Sequence, residues 1–319
     1  MLSRREFLLA AAAVPAARAG SALTPKERVD RIVKGADPDR LAFTFWYHFR
    51  LEKPTPERFA FATLEFHRKF RTDLVKVMNN LSYTPPPGKW YTIRPQKSPL
   101  PEHLRTLEMV RDGLGGKAHF IETVWNPWMI AESLAGSREE LLQMKNEKPQ
   151  YLLNALEAIA RSQANHARLA LGQGASGIFL AVNSAQATIL SRDEYVKFSE
   201  PFDRMILEAV NSAPLNTVHV HGDKIYLHKF YQGWPINMLS YSAHASGVAI
   251  STVRSRFGGV MLGGIDERKF RTIDSKELKR QIHAAKEAAG TRLIVAPGCT
   301  LSSQTPDEDM LRLPRLIGA

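Results

Sequence analysis

The chain has 319 residues, 44% hydrophobic and 24% charged, which is enough apolar material for a full globular core. Aromatics at 9%, with 20 Gly and 19 Pro, exclude a low-complexity, collagen-like or solenoid chain. The net charge of +11 leaves nucleic acid, anionic lipid and anionic small substrates all open, and the single cysteine, Cys299, excludes an intramolecular disulfide or a Cys-only metal cluster.

Ser3-Arg4-Arg5-Glu6-Phe7-Leu8 is a twin-arginine pattern that enters the apolar stretch Phe7 to Ala17, and Ala17-Arg18-Ala19 supplies a small-x-small cleavage site. Residues 1–19 therefore read as a signal peptide and 20–319 as one domain, exported to the periplasm or beyond. The apolar stretch is shorter than the roughly 20 residues of a spanning helix, so no stable membrane anchor is expected.

Along the rest of the chain, short apolar runs alternate with amphipathic stretches. The runs are Leu41 to Phe49, Asp73 to Met78, Ala118 to Val124, Gly177 to Val182, Asn216 to His221, Ile236 to Tyr241, Gly259 to Leu262 and Arg292 to Ala296. Helical patterns cover Pro56 to Arg71, Pro101 to Leu114, Pro149 to Leu171, Ser191 to Ser212 and Ser275 to Ala289. Several open with a first-turn proline, and Ser191 with Glu194 has capping-box spacing. Eight strands alternating with helices predict a single (β/α)8 TIM-type barrel. An open doubly wound sheet is the alternative, but no Gly-rich phosphate fingerprint follows the first strand.

In a barrel, chemistry sits where strands end at the C-terminal face. The polar residues there are Trp46, His48 and Arg50, then Lys76, Asn79 and Asn80, then Trp125, Asn126 and Asn183. The later strands add His219, His221, Asp223, Ser240, Tyr241, Asp266 and Cys299. Residues two apart in a strand share a face, so His219 and His221 can converge, and a Cys at the end of the eighth strand can face them. Two imidazoles and a thiolate with an open fourth position make the ligand set of a catalytic zinc, with Asp223 as an orienting partner or base. The competing reading is one packed His, one substrate-binding His and a small buried Cys.

Lys76 and Arg50 at the mouth, with a Pro-rich connection from Tyr83 to Pro101 above it, suit an anionic substrate. Tyr83, Trp46, His48, Asn183, Tyr241 and Asp266 complete the expected substrate-binding set. Nucleic acid is disfavoured, since no recognition motif is present. A glycosidase reading needs two flanking carboxylates, and the fourth strand ends in Asn183 instead.

Five stretches in order resemble the uroporphyrinogen decarboxylase superfamily over essentially the whole mature chain. They are Phe45-Trp46-Tyr47-His48-Phe49, Asp73-Leu74-Val75-Lys76-Val77, His219-Val220-His221-Gly222-Asp223, Gly263-Gly264-Ile265-Asp266, and Pro297-Gly298-Cys299-Thr300. The resemblance implies a (β/α)8 barrel and two chemistries. The decarboxylase type grips its tetrapyrrole with an Arg-rich segment after the first strand and an Asp after the second. Here those places read His48-Phe49-Arg50 and Lys76-Val77-Met78. The corrinoid-linked methyltransferase type holds zinc with His-x-Cys and a distant Cys, and uses it to activate a substrate thiol. This chain has His219 and Cys299, with His221 where that motif has Cys. The resemblance thus implies an enzyme for a small anionic or thiol substrate, zinc-assisted methyl transfer through an activated thiolate, and a corrinoid on a partner protein. Metal-free decarboxylation of a polycarboxylate, or an exported binding protein without catalysis, are the alternatives.

Overall fold

A proline or a small polar residue begins most of the helices, and it does so for a physical reason: the first turn has backbone N–H groups without partners, which a Ser, Thr, Asn or Asp side chain can satisfy and a Pro never presents. The computed structural model describes residues 22–52, 54–78, 83–227, 230 and 233–319. The leader pattern, Asn79 and Asn80 lie outside the described residues. In chain order the elements are α1 (Pro25–Val33), β1 (Ala42–Phe43), α2 (Pro56–Phe70), β2 (Leu74–Val77), a 3-10 turn (Trp90–Thr92), α3 (Pro101–Leu114), β3 (His119–Trp125), α4 (Pro127–Ala135), α5 (Arg138–Glu147) and α6 (Pro149–Gly172). There follow β4 (Ile178–Val182), α7 (Arg192–Phe198), α8 (Glu200–Glu208), β5 (Thr217–Val220), β6 (Met238–Tyr241), α9 (Ala243–Ser246), α10 (Ile250–Arg254), β7 (Val260–Ile265), α11 (Ser275–Ala289), β8 (Leu293–Pro297) and α12 (Asp307–Ile317). Thr24 caps α1 in a capping box with Glu27, and Ser191 does the same for α7 with Glu194.

All strand pairs are parallel, and the order runs β2-β3-β4-β5-β6-β7-β8-β1. The seam between β1 and β2 is drawn together by Asp73 N–H donating to Phe43 O at 2.9 Å and Thr44 Oγ1 donating to Leu74 O at 2.7 Å. This is the (β/α)8 barrel, and the open-sheet alternative is excluded by that strand order. The lower interior is filled by inward-facing apolar side chains, among them Ala42, Leu74, Ile121, Met238, Val260, Leu262 and Ile294. Among the described residues, a filled floor leaves the barrel interior open to a ligand at the C-terminal mouth. Among the described residues no helix is long and apolar enough to cross a membrane.

The single helix expected over Ser191 to Ser212 is instead two, α7 and α8, broken at Ser199. Pro201 has no N–H to continue the ladder, and Ser199 turns its hydroxyl to Asp203 Oδ2 at 2.9 Å. Ser184 Oγ lies 2.7 Å from Ser199 Oγ, and Asn126 Nδ2 donates to both hydroxyls. The network ties the turns after β3 and β4 to α8, beneath the mouth. Burial pushes the Asp203 carboxyl up to about 8, against the opposing pull of hydrogen bonds from Ser199 and Asn126.

The folded chain therefore keeps a proton that the unfolded chain releases from about 3.8 upward. This contribution is complete at low pH and is lost as pH rises toward about 8. Asp203→Asn is expected to remove that dependence. Urea unfolding at pH 5 and pH 8 should show wild-type stability falling more than the variant's, and equal changes would refute the assignment.

Candidate metal centre and substrate cavity

Period-two alternation places His219 inward on β5, and its register with Ala181 on β4 and Ser240 on β6 sets its height at the top of the sheet. The ring lies stacked on Phe179, with centroids 5.1 Å apart and planes 20° apart, and Nδ1 sits 3.1 Å from Ser240 Oγ. Donation from Nδ1–H to Ser240 leaves the Nε2 lone pair for a ligand, the usual way a second hydrogen bond fixes a metal-binding tautomer.

His221 follows at the strand end. Its Nδ1 lies 3.2 Å from Cys299 Sγ. Gly222 has φ +121°, and a Cβ there would fall 2.2 Å from Gln186 Oε1, while Gln186 Nε2 donates to Asn183 O and His221 O. The glycine thus lets an amide side chain brace the turn that carries His221. Cys299 is brought in by a similar close approach. A Cβ on Gly298 would lie 2.5 Å from Ser242 Cα, and Leu301 N–H donates to Trp46 O at 2.9 Å.

One ligand atom from each of His219, His221 and Cys299 lies within 4.8 Å of the other two. Desolvation raises the Cys299 thiol, but a hydrogen bond from His219, that ring's charge and the Thr300 backbone N–H outweigh it, so the net shift is downward, toward thiolate. The His221 ring is pushed down by desolvation, partly countered by the charges of Asp223 and Glu267.

These three residues border a cavity of about 580 Å³ at the mouth, whose wall also includes Trp46, His48, Lys76, Thr123, Trp125, Phe179 and Asn183. Lys76 lies with Nζ 5.0 Å from the Phe179 ring centroid and 3.1 Å from Met78 Sδ. Burial pushes this ammonium down to about 8, although Cys299 and Glu122 pull it back. His48 and Trp125 have near-parallel rings, 27° apart with centroids at 6.3 Å.

Five residues expected at the site lie outside the cavity wall, each for a local reason. Tyr241 has the opposite parity to Ser240, so it is buried on the outer face of the barrel, where its hydroxyl donates to Val248 O. Asp266 is turned into its own loop by Arg268, whose N–H it accepts at 3.1 Å. Tyr83 packs beside the main core, where burial pushes its phenol up. Arg50 is exposed beyond the cavity wall. Asp223, also exposed, acts on His221 through its charge.

A family model described as uroporphyrinogen decarboxylase matches residues 82–317, about three quarters of the chain, from before α3 through α12. The chain belongs to the uroporphyrinogen decarboxylase family. No curated protein sequence matches it. In this family member the match takes in β5 and β8, the strands that carry the His219, His221 and Cys299 cluster. Among solved structures it is similar to a methyltransferase from Methanosarcina mazei, at 16% identity, TM-score 0.73, covering 92% of this chain and 98% of that one. It is also similar to a B12-independent methionine synthase from a Shewanella species, at 13% identity, TM-score 0.56, covering 87% and 92%. At these identities the likeness is one of fold.

The wall also holds residues that the strand-end reading missed. Thr123 and Phe179 have the same parity as Trp125 and Asn183, so the alternation already contained them. Arg138, Thr188 and Ile189 come from helix and loop segments above the mouth, for which no strand periodicity gives a signal.

Proposed function

We propose that this protein is a methyltransferase that uses zinc, held by His219, His221 and Cys299, to methylate a small anionic thiol. The observation that carries the reading is the convergence of those three ligand atoms at the wall of a cavity large enough for a small substrate. Two imidazoles and one thiolate fit zinc, and a three-residue set leaves a fourth position toward the cavity, as in catalytic rather than structural sites. Zinc bound there would lower the pKa of a neighbouring thiol and so supply a thiolate near neutral pH.

The chain's own residues do the rest. Phe179 and Ser240 hold the His219 ring in one plane and one tautomer. Lys76 attracts the substrate's negative group into the aromatic floor. Trp46 and Trp125 keep water from the reacting sulfur. In the transfer, a sulfur–carbon bond forms as the methyl carbon leaves its donor, the bonding pair stays with the donor, and the thiol proton passes to solvent. A methyl corrinoid on a partner protein is the donor this reading implies. The fold shared with a Methanosarcina methyltransferase supports it.

The test is metal analysis joined to turnover. Purified protein should hold about one zinc per chain. It should methylate 3-mercaptopropionate from methylcobalamin, and it should lose both zinc and turnover to a chelator. Protein purified without zinc that turns over no thiol after zinc is added back would refute methyl transfer and favour metal-free decarboxylation, in which Lys76 would stabilise a carbanion.

A further inference from the structure

The cavity wall has an uneven charge inventory. Among the described residues it includes Lys76, Arg138 and three histidines, and no Asp or Glu. An ammonium pressed into an aromatic floor needs an anion, because burying a charge without a partner is costly. Lys76 forms no salt bridge among the described residues; its near contacts are the Phe179 ring and a thioether, and Cys299 and Glu122 act on it through their charge alone.

The second cation belongs to another element. Arg138 opens α5 above the mouth, and Glu132 engages its Nε and Nη2 at 3.2 and 3.0 Å, which leaves the Nη1 end of the guanidinium as a donor. Glu132 itself is not part of the cavity wall. The same wall carries the aromatic rings of Phe179, Trp46 and Trp125, with the first two tilted by 53° at centroids 4.8 Å apart.

We infer that the cavity selects a dianion with an unsaturated ring body, one negative group on Lys76 and the other on Arg138, so that Arg138 determines specificity for the second charge. This deepens the methyl-transfer reading by narrowing its substrate class, and rests on it for the role of the neighbouring His219, His221 and Cys299.

The experiment is isothermal titration of the full chain, zinc-loaded and zinc-stripped, with benzoate, the three benzenedicarboxylates, biphenyl-4,4′-dicarboxylate and uncharged terephthalamide. At least one dianion should bind about 10-fold or more tightly than benzoate, and terephthalamide should not bind measurably. Arg138→Gln should abolish the dianion's advantage and leave benzoate unchanged. Lys76→Met should weaken benzoate and dianions together; should that variant not fold, Arg138→Gln decides alone. Equal binding of benzoate and every dianion, or an advantage that survives Arg138→Gln, overturns the inference. The two readings separate cleanly, because a protein that prefers dianions but turns over no thiol after zinc is added back refutes only methyl transfer, and a zinc-dependent methyltransferase without that preference refutes only the dianion.

Discussion

Cys299→Ala is expected to strip zinc from the protein while leaving the melting temperature of the metal-free form unchanged. The two halves of that expectation have different origins. The sulfur lies 3.2 Å from His221 Nδ1, and its thiol is drawn toward thiolate, so its removal takes the one anionic ligand from the set. Two neutral imidazoles hold zinc far more weakly, and a loss of affinity of about 1,000-fold, some 4 kcal/mol, is expected. The side chain is only partly buried at the rim and belongs to no core cluster, so little packing is lost with it. Zinc content after dialysis against a graded chelator measures the first half, and calorimetry of stripped protein the second. His221→Cys serves as the control for ligand chemistry, since it creates His-x-Cys and should retain zinc where His221→Ala does not. Cys299→Ala protein with unaltered zinc affinity would refute this ligand set.

Much of this site is legible in the sequence, because it rests on two short rules. Alternation put His219 and His221 on one face, and the barrel's closure put the end of β8 within reach of the end of β5. The strands followed from their apolar runs within a few residues. β1 is the exception, shrinking from Leu41 to Phe49 to the two residues Ala42–Phe43. Beyond Phe43 the segment instead alternates between lining the cavity with Trp46 and His48 and packing Tyr47 and Phe49 against Phe66. Such side-chain alternation persists without a strand partner, so the sequence pattern overstates the strand.

Other features were not legible because they depend on long-range partners. Nothing local told Tyr241 from Ser240 as the outward residue until the register with His219 fixed the face. Asp73, matched only as part of a family stretch, is fully buried and accepts from Arg28 at 2.6 Å, Arg40 at 2.7 Å and the Phe43 N–H at 3.0 Å. It fastens the closing seam of the barrel far from the mouth, a role that spacing along the chain does not encode.

The same blindness covered the residue whose replacement should cost the most stability. Glu122 on β3 points away from the cavity and is 0% exposed. Its two oxygens lie 2.9 Å from His103 Nε2 on α3 and 2.9 Å from His166 Nε2 on α6, both of them buried rings. Desolvation raises the Glu122 carboxyl, but the His103 charge and the hydrogen bonds from both histidines overcome it and hold the group near 2.

Glu122→Leu would leave two buried N–H donors without an acceptor, at a cost of about 3–5 kcal/mol. Glu122→Gln should cost less, since its oxygen still accepts from one ring and its amide can donate to the other once that ring changes tautomer. The pH dependence has a definite sign. A carboxyl held below its unfolded value of 4.5 contributes fully above that pH, and the contribution fades as pH falls toward 2, so the stability gap between wild type and Glu122→Gln should narrow across that range.

Urea unfolding at pH 7 and pH 3 reads both magnitude and sign, and a gap that stays constant or widens in acid would refute the ionised clamp. The effect should reach the site as well. Glu122 sits beside Thr123 and helps to keep Lys76 charged, so the Gln variant should lower the lysine's pKa further below about 8. The pH dependence of Lys76 acylation, followed by mass spectrometry, measures that shift even in a variant that folds with wild-type spectra.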